Sequence, residues 1–214
     1  MKFLVITNGA YGNLDWYRSR VGLFERLICV DGGAGRAREL GIIPHWIVGD
    51  MDSISEPDRK FMEDAGVCFE VHPPEKDFTD TQLALELAAR EGGRNIVVWG
   101  GTGSRLDHNL SNIFSASFFL ERGIDIVFDS PDMTVYLVKK QLVIPGSPGD
   151  TVSLIAMGSR VSGVDLHGFK YPLNKATLEG NWQWAVSNII TQAEPVVRLD
   201  SGILAVFHYK TPVP

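Results

Sequence analysis

Short apolar runs alternate with stretches of helical spacing through the first 129 residues, and then the alternation stops. Phe3–Ile6, Arg26–Val30, Trp46–Val48, Val67–Val71, Asn95–Trp99 and Ile124–Phe128 each read as a strand. Between the first two, Leu14, Tyr17, Val21 and Phe24 fall on one face and predict a helix over 14–25. A short helix runs to Leu40, with Gly41 as its cap and Pro44 as its stop. Ser55 is placed to cap a helix over 56–65, with Glu56 and Pro57 in its first turn. The helix after Asp80 carries Leu83, Ala84, Leu87 and Ala88 on its apolar side, and another covers about 108–121. Strand and helix repeated in this way predict an α/β domain with a doubly wound, mostly parallel, Rossmann-like sheet.

Beyond Asp129 helical spacing gives way to short β-rich runs. They are Thr134–Val138, Gln141–Ile144, Thr151–Ala156, Gly163–Leu166, Val196–Leu199 and Ile203–Tyr209, separated by turn signals such as Pro145-Gly146 and Ser201-Gly202. The reading is two domains, 1–129 α/β and 130–214 an all-β antiparallel sandwich or barrel. The tail Thr211–Pro214 reads as frayed.

Charge sharpens this division. The net charge of −6 disfavours a nucleic-acid partner. Residues 1–129 carry 13 Lys and Arg against 20 Asp and Glu, whereas residues 130–214 carry 7 against 6. Cys29 and Cys68 both sit in apolar runs and read as small core side chains in a reducing compartment. No apolar run approaches the ~20 residues of a membrane span, and the opening run is too short for a signal-peptide core. No membrane association and a cytoplasmic location are expected.

The acidic excess has a place in the pattern. Four of the six strands run into a loop containing aspartate: Asp31; Asp50 and Asp52; Asp77 and Asp80; Asp107. If the sheet is parallel, those loops share its carboxyl edge, where ligands of such sheets bind. In an extended segment Asp50 and Asp52 would face one point, and two like charges there invite a cation. Mg²⁺ takes carboxylate and phosphate oxygens, although a solvated acidic turn has the same composition. Gly32-Gly33-Ala34-Gly35 and Gly100-Gly101-Thr102-Gly103 precede helices, where backbone N–H groups meet phosphates, or where glycine serves the turn alone. Arg36, Lys76 and Arg105 either offset phosphate charge or pair with neighbouring aspartates. His108 is placed to bond a nucleotide or to cap its helix. Trp182 and Trp184 are core residues or, if they lie on a strand, an aromatic platform on one face.

Taken in order, Asp31-Gly32-Gly33-Ala34-Gly35-Arg36, Gly49-Asp50-Met51-Asp52-Ser53, Lys76-Asp77-Phe78-Thr79-Asp80 and Gly103-Ser104-Arg105-Leu106-Asp107-His108 resemble the thiamine pyrophosphokinase family. In the second domain the resemblance continues through Gly168-Phe169-Lys170-Tyr171-Pro172-Leu173 and Ser187-Asn188. It implies an α/β catalytic domain, a β-sandwich, and a homodimer with the thiamine site between the catalytic domain of one subunit and the sandwich of the other. It also implies a diphosphotransfer from ATP to thiamine that releases AMP. Carried over by position, Asp50, Asp52 and Asp80 would hold Mg²⁺, with Asp31 supporting them. Arg36, Lys76, Asp77, Arg105, Asp107 and His108 would serve ATP. Ser187, Asn188, Trp184 and Trp182 would contact thiamine. The chain departs from the family pattern at Trp182-Gln183-Trp184-Ala185 and at Trp16-Tyr17. Two other functions share the acidic edge or the sandwich: a Mg²⁺-dependent nucleotide phosphohydrolase, and a non-catalytic small-molecule sensor.

Overall fold

The computed structural model describes residues 1–103 and 105–210. Ser104 and the tail Thr211–Pro214 lie outside the described residues. The chain separates into two compact units, Met1–Pro131 and Asp132–Pro214.

Unit 1 contains strands β1 (Lys2–Ile6), β2 (Arg26–Val30), β3 (Trp46–Gly49), β4 (Cys68–Val71), β5 (Asn95–Trp99) and β6 (Asp125–Asp129). Its helices are α1 (Leu14–Arg18), α2 (Gly33–Leu40), α3 (Glu56–Asp64), α4 (Asp80–Arg90) and α5 (Leu106–Glu121). The six strands run in the spatial order β4-β3-β2-β1-β5-β6, and every neighbouring pair is parallel. The order reverses between β1 and β5, the place where a sheet of this kind offers a crevice at the carboxyl ends of its strands.

Side-chain alternation allots the two faces of this sheet. Leu4, Ile6, Cys29, Ile47 and Trp99 pack in one buried cluster with Ala34, Ala37 and Leu40 of α2, Tyr17 of α1 and Met62 of α3. Their neighbours Phe3, Val5, Ile28, Val48 and Val98 are buried too and must point to the opposite face. There α4 lies against β1, β2 and β3, burying Ala84, Leu85, Leu87 and Ala88.

The local signals for helix ends are used. The Ser55 hydroxyl accepts from the Asp58 N–H at 3.3 Å, and Gly41 is left-handed at φ +74° behind α2. Thr79 and Gln82 form a capping box that starts α4 at Asp80.

Two expectations are corrected in unit 1. The helix predicted over 14–25 is two pieces, α1 and a 3₁₀ turn at Val21–Leu23. The Ser19 hydroxyl bonds back to the Trp16 carbonyl at 2.8 Å, and Gly22 follows, so nothing sustains the helix. The predicted face survives the break, because Leu14, Tyr17, Val21 and Phe24 all reach the core. Cys68 is exposed rather than buried, because β4 is an edge strand; it and the buried Cys29 are both free thiols. Among the described residues, no helix is long and apolar enough to cross a membrane.

Unit 2 is antiparallel throughout. It contains β7 (Met133–Val138), β8 (Gln141–Val143), β9 (Thr151–Ala156), β10 (Arg160–His167), β11 (Leu173–Glu179), β12 (Asn188–Ile189), β13 (Val196–Arg198) and β14 (Leu204–Tyr209). One set is ordered β12-β9-β14-β7 and the other β11-β10-β13-β8. Val152, Leu154, Leu204 and Val206 of the first and Val161, Val164, Leu166 and Val197 of the second share one core, the signature of a sandwich. Strand β11, polar along much of its length, carried no apolar run to betray it. Trp182 to Val186 do not form a strand.

Candidate active site

Asp31 follows β2, Asp50 follows β3, and Asp80 opens α4. All three line one cavity of about 820 Å³ at the carboxyl ends of the parallel strands. Its wall also takes Thr7, Asn8 and Gly9 after β1 and Gly100, Gly101 and Gly103 after β5. The size suits a small-molecule site. A Cβ on Gly9 would sit 1.9 Å from the Gly100 carbonyl oxygen, so the two loops at the sheet's reversal touch as only glycine permits.

The carboxylates converge as a trio. One oxygen from each of Asp31, Asp50 and Asp52 lies within 4.8 Å of the others. The route to this geometry differs from the extended segment expected. Met51 is left-handed at φ +65°, and the Asp52 N–H donates to Asp50 Oδ1 at 3.2 Å. A tight turn, not strand alternation, brings Asp50 and Asp52 together. Asp31 is itself left-handed at φ +42° and accepts from the Ser53 N–H with both oxygens at 3.3 Å. The Ser53 hydroxyl donates to Asp52 Oδ1 at 2.9 Å. Gly49 stands between Asp31 and Asp80: a Cβ there would meet Asp31 Cβ at 2.9 Å and Asp80 Cγ at 3.4 Å.

Lys76 ties the fourth carboxylate in. Its Nζ lies 2.9 Å from Asp80 Oδ1 and 3.4 Å from Asp50 Oδ2. Burial works against that ammonium charge, but the bonds and charges of Asp80 and Asp50 prevail and its pKa is raised. Asp50 is held below the usual carboxylate range by the Asp52 N–H, with Lys76 adding to it. Asp31 moves the other way: burial, reinforced by the charges of Asp52 and Asp50, raises its pKa against the opposing Ser53 bonds. A crowded carboxylate trio beside one lysine is a hard-oxygen donor set with charge to spare for a divalent cation.

The other residues singled out from sequence divide. Arg36, Arg105 and His108 line the cavity. Arg36 pairs with Glu39 at 3.0 Å, and Arg105 grips Asp107 at 2.6 Å. That grip, chiefly the Arg105 hydrogen bond, takes the Asp107 pKa down to about 2. Asp107 and Asp77 are exposed and do not line the cavity. Arg105, not His108, is the cap residue of α5.

In unit 2, Asn188 is buried, and its side chain brackets Tyr171, accepting from the N–H at 3.0 Å and donating to the carbonyl at 2.7 Å. Ser187 is exposed and left-handed at φ +58°. Trp182 and Trp184 are 73% and 46% exposed, so core packing is excluded for both.

Sequence reasoning passed over Asn109 and Asn112. Asn109 brackets Gly103, with both bonds at 2.8 Å, and Asn112 donates to the Gly101 carbonyl at 2.8 Å. Their i, i+3 spacing behind a glycine loop was the available signal: it points two amides back at that loop.

Comparison with known proteins finds relatives along most of the chain. The thiamin pyrophosphokinase catalytic domain family matches residues 22–128, and the thiamin pyrophosphokinase vitamin B1 binding domain family matches residues 138–204. Thiamine pyrophosphokinase of Bacillus subtilis (strain 168) is 32% identical over 188 residues, covering 83% of this chain and 84% of that one. The crystal structure of thiamine pyrophosphokinase from Bacillus subtilis superposes with a TM-score of 0.85 at 26% identity, covering 100% of both chains. Thiamin pyrophosphokinase from Candida albicans superposes at 0.82 with 19% identity, covering 97% of this chain and 90% of that one, a likeness of fold alone.

Proposed function

The chain belongs to the thiamin pyrophosphokinase family, and on that premise we propose that it transfers the diphosphoryl group of ATP to the hydroxyl of thiamine, giving thiamine diphosphate and AMP. The observation that carries the reading is the meeting of Asp31, Asp50 and Asp52, the first two of which line, with Lys76, a glycine-walled cavity at the sheet's reversal. The strand order β4-β3-β2-β1-β5-β6 also supports a Rossmann-like description of unit 1.

In this reading the thiamine hydroxyl attacks the β-phosphorus, and the bond to the α-phosphate oxygen breaks to release AMP. The enzyme's part is positioning and charge neutralisation. Backbone N–H groups of the loops after β2 and β5 face the phosphates, and Lys76, Arg36 and Arg105 offset their charge. Asn109 and Asn112 keep the second loop in shape. Mg²⁺ fits the donor set: Asp50 and Asp52 would hold it, with Asp80 and Asp31 beside them. A divalent ion held by these residues would supply positive charge against that of the phosphates. Asp77 and Asp107 then act at a distance, Asp107 by steering Arg105.

Ser187, Trp182 and Trp184 are proposed to contact thiamine, with Asn188 shaping that site through Tyr171. Exposed indoles suit a flat cationic thiazolium. A homodimer is proposed as well, with each thiamine site completed by the partner. Leu106, Leu110, Phe114 and Phe118 recur every fourth residue along α5 and are all exposed, an apolar stripe of the sort that a subunit interface covers. A cytoplasmic location accompanies this reading.

The test is direct. The protein incubated with ATP, Mg²⁺ and thiamine should form AMP and thiamine diphosphate in equal amounts. ADP as product, or AMP release that ignores thiamine, would overturn the assignment.

A further inference from the structure

Tyr11 follows the loop after β1 and makes three contacts, each to a different wall of the cavity. Its hydroxyl donates to the Thr7 carbonyl at 3.0 Å. A Cβ on Gly100 would lie 2.8 Å from Tyr11 Cε2, so the ring edge rests against the loop after β5. The Arg36 guanidinium carbon stands 5.7 Å from the Tyr11 ring centroid, within cation–π range. Thr7, Gly100 and Arg36 all line the cavity.

The ring is fixed from behind as well. Tyr17 packs on it at 4.8 Å between centroids, and Trp16 and Trp99 pack on Tyr17 at 4.9 Å each. This explains the aromatic pair Trp16-Tyr17 that departs from the family pattern: it is the buttress of Tyr11. Among the described residues, Arg36 is otherwise anchored only through Glu39, one turn along its own helix and half exposed, a pairing that contributes little.

We infer that Tyr11 is a positioning residue for the nucleotide: clamped between the β1 and β5 loops, its ring holds the Arg36 guanidinium toward the phosphates. The inference rests on the diphosphotransferase reading for its ligand, Mg²⁺-ATP, but not for its physical basis. An arginine already held in place loses less side-chain freedom when it meets a phosphate.

The test compares Tyr11→Leu, Tyr11→Phe, Arg36→Gln and the Tyr11→Leu/Arg36→Gln double variant. Two readouts are taken: steady-state formation of AMP, and calorimetric binding of a non-hydrolysable ATP analogue with Mg²⁺. Tyr11→Leu should raise the KM for ATP and the analogue Kd together, about three- to thirtyfold. The KM for thiamine and kcat should stay within twofold. Tyr11→Phe keeps the ring and should stay within threefold of wild type. The double variant should bind no more weakly than Arg36→Gln alone, because Tyr11 acts through Arg36. Unchanged binding in Tyr11→Leu, equal losses in the Phe and Leu variants, or losses that multiply in the double variant would each overturn the inference. If Tyr11→Leu does not fold, Tyr11→Met fills the space without a ring face and stands under the same outcomes. If wild type binds the analogue yet makes no AMP with thiamine, the function assignment fails, while the calorimetry still decides the role of Tyr11.

Discussion

Replacing Asp52 by asparagine should push stability and activity in opposite directions. The side chain keeps its shape, and its amide oxygen still accepts the Ser53 hydroxyl, now 2.9 Å from Asp52 Oδ1. What disappears is one of three negative charges whose oxygens lie within 4.8 Å of each other. At that separation two unit charges repel by about 0.9 kcal/mol in water and about 3.5 kcal/mol at an effective dielectric constant of 20. Asp52 is exposed, so the lower figure governs, once for Asp31 and once for Asp50. The metal-free variant should therefore be more stable by roughly 1–2 kcal/mol, a rise of about 3–6 °C in the midpoint of thermal unfolding. Added salt should shrink that gain by screening the repulsion in the wild type. Turnover should fall about 10²–10³-fold, the loss typical of removing one preorganised electrostatic group. The assay pairs thermal unfolding in EDTA and in Mg²⁺ with AMP formation. Wild type should gain stability from Mg²⁺ through linkage, and the variant should gain less. Wild-type turnover, or a lower midpoint in EDTA, would refute the view that these carboxylates form a strained site awaiting a cation.

Three further outcomes follow from the geometry. Gly9→Ala places a methyl 1.9 Å from the Gly100 carbonyl oxygen, so it should cost about 2 kcal/mol or more in chemical denaturation and weaken ATP binding; an unperturbed variant would mean that the loops do not touch. Ser55→Ala removes the cap of α3 and should cost about 1 kcal/mol. Asp58, held below the usual carboxylate range first by the Ser55 hydroxyl and then by Arg38, should titrate closer to that range in the variant. Because its folded pKa is depressed, its stabilising share is present above its unfolded value and is lost as pH falls through the folded one; NMR titration of Asp58 in both proteins reads the change. Phe114→Glu, in the exposed stripe of α5, should convert the proposed dimer to a monomer in sedimentation, and an unchanged sedimentation coefficient would exclude that face as the interface.

Much of unit 1 was written in periodicity. Apolar runs and turn residues located its six strands, Ser55 and Gly41 ended helices as such residues do, and aspartate after successive parallel strands implied a shared acidic edge. These are local properties: spacing along the chain decides which face is apolar, and a parallel sheet then brings the strand ends together. The sandwich was legible too, except at β11, which is too polar to show an apolar run, and at β12, which is only two residues long.

What the chain could not state alone is where a residue ends up relative to partners far along it. Asp50 and Asp52 meet because Met51 turns left-handed, and Asp31 completes the trio through the Ser53 N–H; neither follows from spacing. Cys68 looked like core and is exposed because its strand is the sheet's edge, a matter of strand order. Tyr11 carries no signal in the sequence and touches Thr7, Gly100 and Arg36, which the reversal at β1 and β5 gathers around it. Periodicity is encoded by neighbours, but the sign of a dihedral, the edge of a sheet and the grip on a guanidinium are set by contacts that exist only once the chain has closed on itself.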